Sequence, residues 1–220
     1  MNLNDLLKEV KIFSNLNNEE LDEISKVAIK KNYKKDEIIL RETEFGNALY
    51  LIGKGQVKVS IYSDEGDETI LSFLQEGDFF GEMALFLDSF RCANVVAIKD
   101  TEVYLFQRED FYKILQKNFK ITRKIIEILC RRLKQANFFI DALAHLDVSS
   151  RLVKFFKEAA KEYGKEEGDF IVLPRFNQQD LANKVATSRE TISRLLANLK
   201  ESELLKVERD KMLISKKVLK

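Results

Sequence analysis

The chain has 220 residues, 45% hydrophobic and 33% charged, with a formal net charge of +1 at pH 7. That balance suits two compact domains, or one large one, and argues against a disordered chain. No apolar run reaches membrane-spanning length, Met1 to Lys8 carries no signal-peptide pattern, and one histidine with two separated cysteines excludes a His-rich metal site, a zinc spacing and a disulfide framework. A cytoplasmic protein with no membrane partner is expected.

Residues 1–29 read as helical. Ile12 to Leu16, including Asn15, ends a first short helix, and Asn17 or Asn18 caps a second with Leu21, Ile24, Val27 and Ala28 at helical spacing. From about Lys31 to Gln107 the pattern changes to short apolar runs, Ile38–Leu40, Ala48–Ile52, Val57–Tyr62, Thr69–Leu74, Val95–Ile98 and Val103–Phe106. Glycine-bearing turns separate several of them, which predicts a β-barrel, jelly roll or β-roll. Within it, Phe80-Gly81-Glu82-Met83-Ala84-Leu85 leads to Arg91-Cys92-Ala93. Backbone amides at a glycine turn plus one arginine suit an anion, and a carboxylate beside them suits a hydroxyl donor such as a ribose. The residues therefore sketch a sugar-phosphate pocket. An alternative is a Glu82–Arg91 ion pair that only closes the empty fold.

A short helix is expected over Phe111–Leu115 and a long one over Asn118–Leu143. Phe119, Thr122, Ile126, Leu129, Leu133, Ala136, Ile140 and Leu143 are spaced alternately by three and four, a coiled-coil seam. Ile121, Ile125 and Ile128 mark a second apolar face. One face would dock on the β domain while the seam, within 118–143, pairs with a second copy; the alternative is a single buried helix in a monomer. Cys130 is expected to pack as a small apolar residue, and His145 to be a helix-end or interface histidine.

Leu146-Asp147-Val148 reads as a hinge, with Asp147 or Ser149 capping a helix to about Tyr163. Gly164–Gly168 reads as a charged loop and Phe170–Leu173 as a strand ended by Pro174. From Asp147 onward 16 Lys and Arg face 12 Asp and Glu, or +4, against −3 for the rest. A mildly basic end suits nucleic acid. Gln178–Lys184 and Arg189–Lys200 form a helix pair joined at Ala186-Thr187, with Ser188 as cap. Leu181, Ala182 and Val185 face inward from the first helix, and Ile192, Leu195, Leu196 and Leu199 from the second. That spacing is helix-turn-helix geometry, in which the second helix enters the major groove. Arg189, Glu190 and Arg194 lie off the apolar stripe, where arginine can read guanine and glutamate cytosine. Ala186 stands where glycine would relieve a left-handed residue, a strain of roughly 1 kcal/mol. Leu204–Val207 and Met212–Ile214 predict a two-stranded wing.

The cassette Phe80–Leu85 with Arg91–Ala93, the hinge run His145–Leu152, and Gln179–Ala182 with Ser188–Arg194 together resemble the cyclic-AMP receptor protein (CRP/FNR) family of bacterial transcription regulators. The resemblance covers nearly the whole chain. It implies an α+β protein in three parts: a cyclic-nucleotide-binding-type β-roll (a double-stranded β-helix or jelly roll) with N-terminal helices over 1–117, a dimerisation helix over 118–145, and a winged helix-turn-helix over 146–220. It implies a homodimer that reads double-stranded DNA, a palindrome similar to TGTGA-N6-TCACA, and that works with RNA polymerase. Arg189, Glu190 and Arg194 would contact base edges, and Gln179 and Ser188 phosphates.

For the effector, the resemblance implies cyclic AMP or another cyclic nucleotide held by Gly81, Glu82, Met83, Ala84, Arg91 and Cys92. Ala136 and Asn137 fall where a threonine and a serine hold adenine in the cyclic-AMP receptor; of these two, Asn137 can hydrogen-bond a base through its amide. Rival readings are a regulator of the same fold that needs no ligand, and, more remotely, a nucleotide-binding regulatory subunit. No nucleophile–base pair points to catalysis, and no metal ligand set stands out.

Overall fold

The computed structural model describes residues 3–10, 12–14 and 16–219. The chain divides into two compact units, residues 1–133 and 134–220, with the boundary inside one long helix.

The first unit begins with α1 (Leu3–Glu9) and α2 (Asn18–Val27). Helix α1 stops earlier than the sequence suggests: Ile12–Ser14 form a turn, and Asn15 lies outside the described residues. Asn17 caps α2 through a capping box with Glu20, satisfying two backbone donors at once. Eight strands follow: β1 (Ile29–Tyr33), β2 (Ile38–Leu40), β3 (Ala48–Lys54), β4 (Gln56–Tyr62), β5 (Glu68–Gln75), β6 (Phe79–Phe80), β7 (Asn94–Ala97) and β8 (Thr101–Gln107), with the short α3 (Glu82–Leu87) between β6 and β7. They form two antiparallel sheets, ordered β1-β8-β3-β6 and β2-β7-β4-β5. This is the jelly-roll arrangement, and it explains why β3 and β8 are apolar almost throughout. Along β3, Ala48, Tyr50 and Ile52 fill the roll interior with Val57, Phe80, Val95 and Leu105. Leu49 and Leu51 face the other way, into a helical core with Leu7, Phe13, Leu21, Phe111 and Ile121. Three elements escape the sequence reading, among them the two-residue β6. Strand β1 is mostly exposed, and the run after Gly81 is α3, whose Met83, Phe86 and Leu87 are exposed while Ala84 and Leu85 are buried.

Helix α4 (Arg108–Lys117) leads to α5 (Phe119–His145), whose 27 residues make a helix about 40 Å long at 1.5 Å per residue. Its two apolar faces differ as the spacing suggests. Ile121 and Ile125 are buried in the helical core with Ile128 packed against it, whereas Phe119, Ile126, Leu133, Ile140 and Leu143 of the seam are 42–74% exposed. Cys130 does not pack inward; it lies exposed beside the seam. His145 is the exposed last residue of α5.

In the second unit Asp147 caps α6 (Val148–Tyr163) by accepting from the Ser150 N–H at 2.8 Å. That bond, with the neighbouring Arg151 charge, holds the Asp147 carboxyl below its ordinary range. The stretch read as a charged loop contains a strand, β9 (Lys165–Glu167), paired with β10 (Phe170–Pro174). Its side chains are all exposed, so no apolar alternation announces it. Helices α7 (Gln178–Val185) and α8 (Arg189–Glu201) follow, then the hairpin of β11 (Leu205–Val207) and β12 (Lys211–Ser215). The sheet order β11-β12-β10-β9 makes the hairpin a wing on a four-stranded sheet. Among the described residues, no helix is long and apolar enough to cross a membrane.

Candidate functional site

In the first unit the cassette is a knot of arginines around one glycine turn. Gly81 has φ 84°, and a Cβ there would lie 2.8 Å from Arg91 Nη1 and 3.1 Å from the Ala48 carbonyl oxygen. Only glycine meets both demands without strain. Arg91 is buried, and its Nη1 donates to the carbonyls of Gly81 (2.8 Å) and Ala48 (3.1 Å). Its guanidinium also stands 5.7 Å from the centre of the Tyr50 ring, which stacks on Phe80. Burial pushes the Arg91 pKa down, opposed by Tyr50, Glu44 and Glu82, and raises that of Tyr50, opposed by Arg91.

Glu82 is buried beside it, yet its ion pair is not with Arg91. Its Oε1 accepts from Arg132 Nη1 at 2.8 Å. The same guanidinium donates to the Phe79 carbonyl at 2.5 Å and lies 4.7 Å from the centre of the Phe79 ring. Arg132 therefore ties α5 to the cassette. The sequence held a signal for it: Ile121, Ile125, Ile128 and Arg132 continue one spacing of four, three and four along the docked face. A third arginine, Arg108, braces the outside. Its Nη2 donates to Gly46 (2.6 Å) and Ala84 (3.1 Å), and its Nη1 pairs with Asp88. Gly46 leaves room for this convergence, since a Cβ there would meet Ala84 Cβ at 2.2 Å and Arg91 Cζ at 2.9 Å. Among the expected effector residues, Gly81, Glu82, Ala84 and Arg91 are thus brought together. Met83 and Cys92 lie exposed at the edge. Asn137 is exposed on α5, within the second unit.

The second unit holds the helix pair. Asn177 caps α7 by accepting from the Asp180 N–H at 2.7 Å, and Ser188 caps α8 by accepting from the Thr191 N–H at 3.2 Å. Between them Ala186 adopts φ 54° and ψ 67°, the left-handed conformation foreseen at this position. Leu181, Ala182, Val185, Ile192 and Leu196 are buried; Leu195 and Leu199 are partly so. On the opposite side Arg189, Glu190 and Arg194 are exposed. Among the described residues their side chains make no hydrogen bond or ion pair. Gln179, also exposed, donates to Asn183 at 2.8 Å. Arg175, missed in the sequence, fixes the wing tip by donating from Nη1 to the carbonyls of Arg209 (2.9 Å) and Glu208 (3.3 Å). Lys184 on α7 is half-buried over the Phe139 ring at 5.3 Å, and desolvation pushes its pKa down to about 8 against the pull of Glu158 and Glu162.

Known proteins share both halves. Residues 30–118 match the cyclic nucleotide-binding domain, and residues 150–217 match the Crp-like helix-turn-helix domain. The chain is 25% identical over 214 residues to a CRP-like cAMP-activated global transcriptional regulator of Mycobacterium tuberculosis, spanning 97% of this chain and 96% of that protein. It is 32% identical over 174 residues to the cAMP-activated global transcriptional regulator CRP of Salmonella typhimurium, spanning 79% and 83% respectively. Among solved structures, a mutant of CooA from Carboxydothermus hydrogenoformans has the same fold, with a TM-score of 0.81 at 24% identity over 96% of this chain and 95% of that one.

Proposed function

We propose that this chain, which belongs to the cyclic-AMP receptor protein (CRP/FNR) family of transcription regulators, acts as a homodimer that reads a palindrome similar to TGTGA-N6-TCACA under control of a cyclic-nucleotide-like effector. The observation that carries the DNA reading is the unpaired trio Arg189, Glu190 and Arg194 on the open side of α8. Each is free to hydrogen-bond a base edge without first breaking a bond within the protein. Gln179 and the capping Ser188 would take phosphates. The exposed seam of α5 supports pairing with a second copy, which gives the twofold that a palindrome requires.

For the effector, Arg91 would take the phosphate, Glu82 the ribose, and Asn137 the base. Gly81, Met83, Ala84 and Cys92 would frame the phosphate. The Glu82–Arg132 pair joins the cassette to α5, so a ligand that competes for Glu82 would act directly on the dimerisation helix. Binding would then shift the population between two arrangements of the hinge at Leu146–Ser149. RNA polymerase is the proposed partner once DNA is bound.

One observation favours a second reading, a regulator competent without ligand. The Arg91 and Arg132 guanidiniums already have carbonyl and carboxylate partners, which would hold the cassette closed. Calorimetry with cyclic AMP, cyclic GMP and cyclic dinucleotides, with and without the palindrome, separates the two. Nucleotide binding coupled to DNA affinity supports effector control. Nanomolar DNA affinity with no nucleotide bound supports the second reading.

A further inference from the structure

The guanidinium of Arg151, on the first turn of α6, joins three separate pieces of backbone. Its Nη1 donates to the Leu146 carbonyl at 2.8 Å, its Nε to Val185 at 2.8 Å and its Nη2 to Ala186 at 3.1 Å. Leu146 closes the end of α5, where its N–H donates to Ala142. Val185 is the last residue of α7, and Ala186 is the left-handed residue of the turn before α8. One planar fork therefore meets carbonyls at the C-terminal ends of two helices, where the backbone carries partial negative charge and lacks intrahelical donors. It does so at the residue where the turn is conformationally most strained. The Thr187 N–H, which donates to Ala182 at 3.0 Å, and the Ser188 cap follow within two residues.

We infer that Arg151 is a positioning residue for base reading: it fixes the helix-turn-helix turn to the hinge and so sets the angle at which α8 presents Arg189, Glu190 and Arg194. This rests on the proposed DNA reading. Arg151 touches no base in this role. It acts by holding the Val185–Ala186 turn in one conformation and by making the turn follow the end of α5. Lysine would keep the charge but lose the fork, since an ammonium is a point donor on a flexible stem.

The test compares the full-length chain with Arg151→Lys and Arg151→Ala by fluorescence anisotropy. The DNAs are a TGTGA-N6-TCACA duplex and a scrambled duplex of equal length, across a salt series, with cyclic AMP present and absent. The ratio of the two affinities should fall roughly tenfold in both variants, the scale of one lost base-pair contact. The slope of log affinity against log salt should stay unchanged, because no phosphate contact is removed. Hydrogen exchange should show lost protection at the Thr187 amide with protection at Leu181 retained. An equal loss on both duplexes with the slope reduced by about one would make Arg151 a phosphate contact and overturn the inference. Full discrimination in Arg151→Lys would also overturn it, and this variant decides the matter if Arg151→Ala does not fold. If the unmodified chain fails to discriminate the duplexes, the DNA reading itself falls, and the inference with it.

Discussion

The cassette and the reader are both organised around arginines, and they use them in opposite ways. In the first unit Arg91, Arg108 and Arg132 direct their forks at the protein's own carbonyls and carboxylates. In the second, Arg189 and Arg194 extend from α8 with no partner among the described residues. An arginine already satisfied is part of the scaffold, and an incoming anion must exchange its bonds for those it displaces. That exchange is how a binding event acquires a differential affinity for two conformations. An unpaired arginine on a rigid helix carries no such coupling; in the proposed DNA reading it would be ready as soon as the helix is aimed. Under the proposed function, the difference would separate a site built to change from a site built to be moved.

The strongest challenge to this contrast is Arg132→Ala. It leaves the Glu82 carboxylate, 7% exposed, without its ion-pair partner, and we expect a loss of about 3 kcal/mol in the first unit. Tyrosine fluorescence during urea unfolding reads that unit, because Tyr33, Tyr50, Tyr62, Tyr104 and Tyr112 lie there and only Tyr163 lies beyond it. A loss under about 0.5 kcal/mol, the ordinary scale of a surface substitution, would mean that Arg132 is no more structural than Arg189.

The same contrast explains what the sequence disclosed. The roll, the two faces of α5 and the helix pair were legible because apolar spacing is written in side chains. So were Arg189, Glu190 and Arg194, since exposed polar residues beside an apolar stripe are visible in the pattern. The bracing arginines were not. Arg91 was found as a candidate anion ligand, but its partners, and those of Arg108, Arg151 and Arg175, are mainly backbone carbonyls. Every residue has a carbonyl, so no residue type marks the acceptor. The ion pair of Glu82 was missed for a related reason: the alternative considered was Arg91, close in sequence, whereas Arg132 comes from another element. Cys130 was expected to pack inward by residue type, but the docked face of α5 passes through Ile125, Ile128 and Arg132 and leaves it outside.

Arg189→Ala should invert the phenotype of Arg132→Ala. Stability should stay within about 0.5 kcal/mol, while affinity for the palindrome falls by about 1–3 kcal/mol and discrimination relaxes at one base position. A gel-shift series over single-base variants measures it. Uniform loss on all sequences would place Arg189 on the phosphates and remove the reader from its side of the comparison.

Lys184 tests whether the second unit contains a constrained lysine beside its bracing Arg151 and Arg175. Its pKa is lowered to about 8 on folding, from an ordinary 10.5. Below about 8 both folded and unfolded states carry the charge, and the burial cost is present in full. Between about 8 and 10.5 the folded state loses its proton first, so stability rises with pH. Allowing for partial exposure, the gain is about 1–2 kcal/mol. Denaturation at pH 7.5 and 9.5 should show it in the natural chain and not in Lys184→Met. Equal pH dependence in both would mean that the ammonium is solvated in the folded state.

The mildest effect comes from the two turns. Each has a left-handed residue before its short or reading helix: Gly81 at φ 84° in the cassette and Ala186 at φ 54° in the reader. In the cassette a Cβ would strike the Arg91 guanidinium as well as strain the backbone, so Gly81→Ala must destabilise. In the reader the methyl group is tolerated at the cost of strain alone, so Ala186→Gly should stabilise the second unit by about 0.4–1 kcal/mol. The two substitutions are exchanges of the same pair of residues, and opposite signs in thermal denaturation are the expected result. Matching signs would remove the contrast: two losses would show that Ala186 carries no strain for glycine to relieve, and two gains that Gly81→Ala meets neither the clash nor the strain assigned to it.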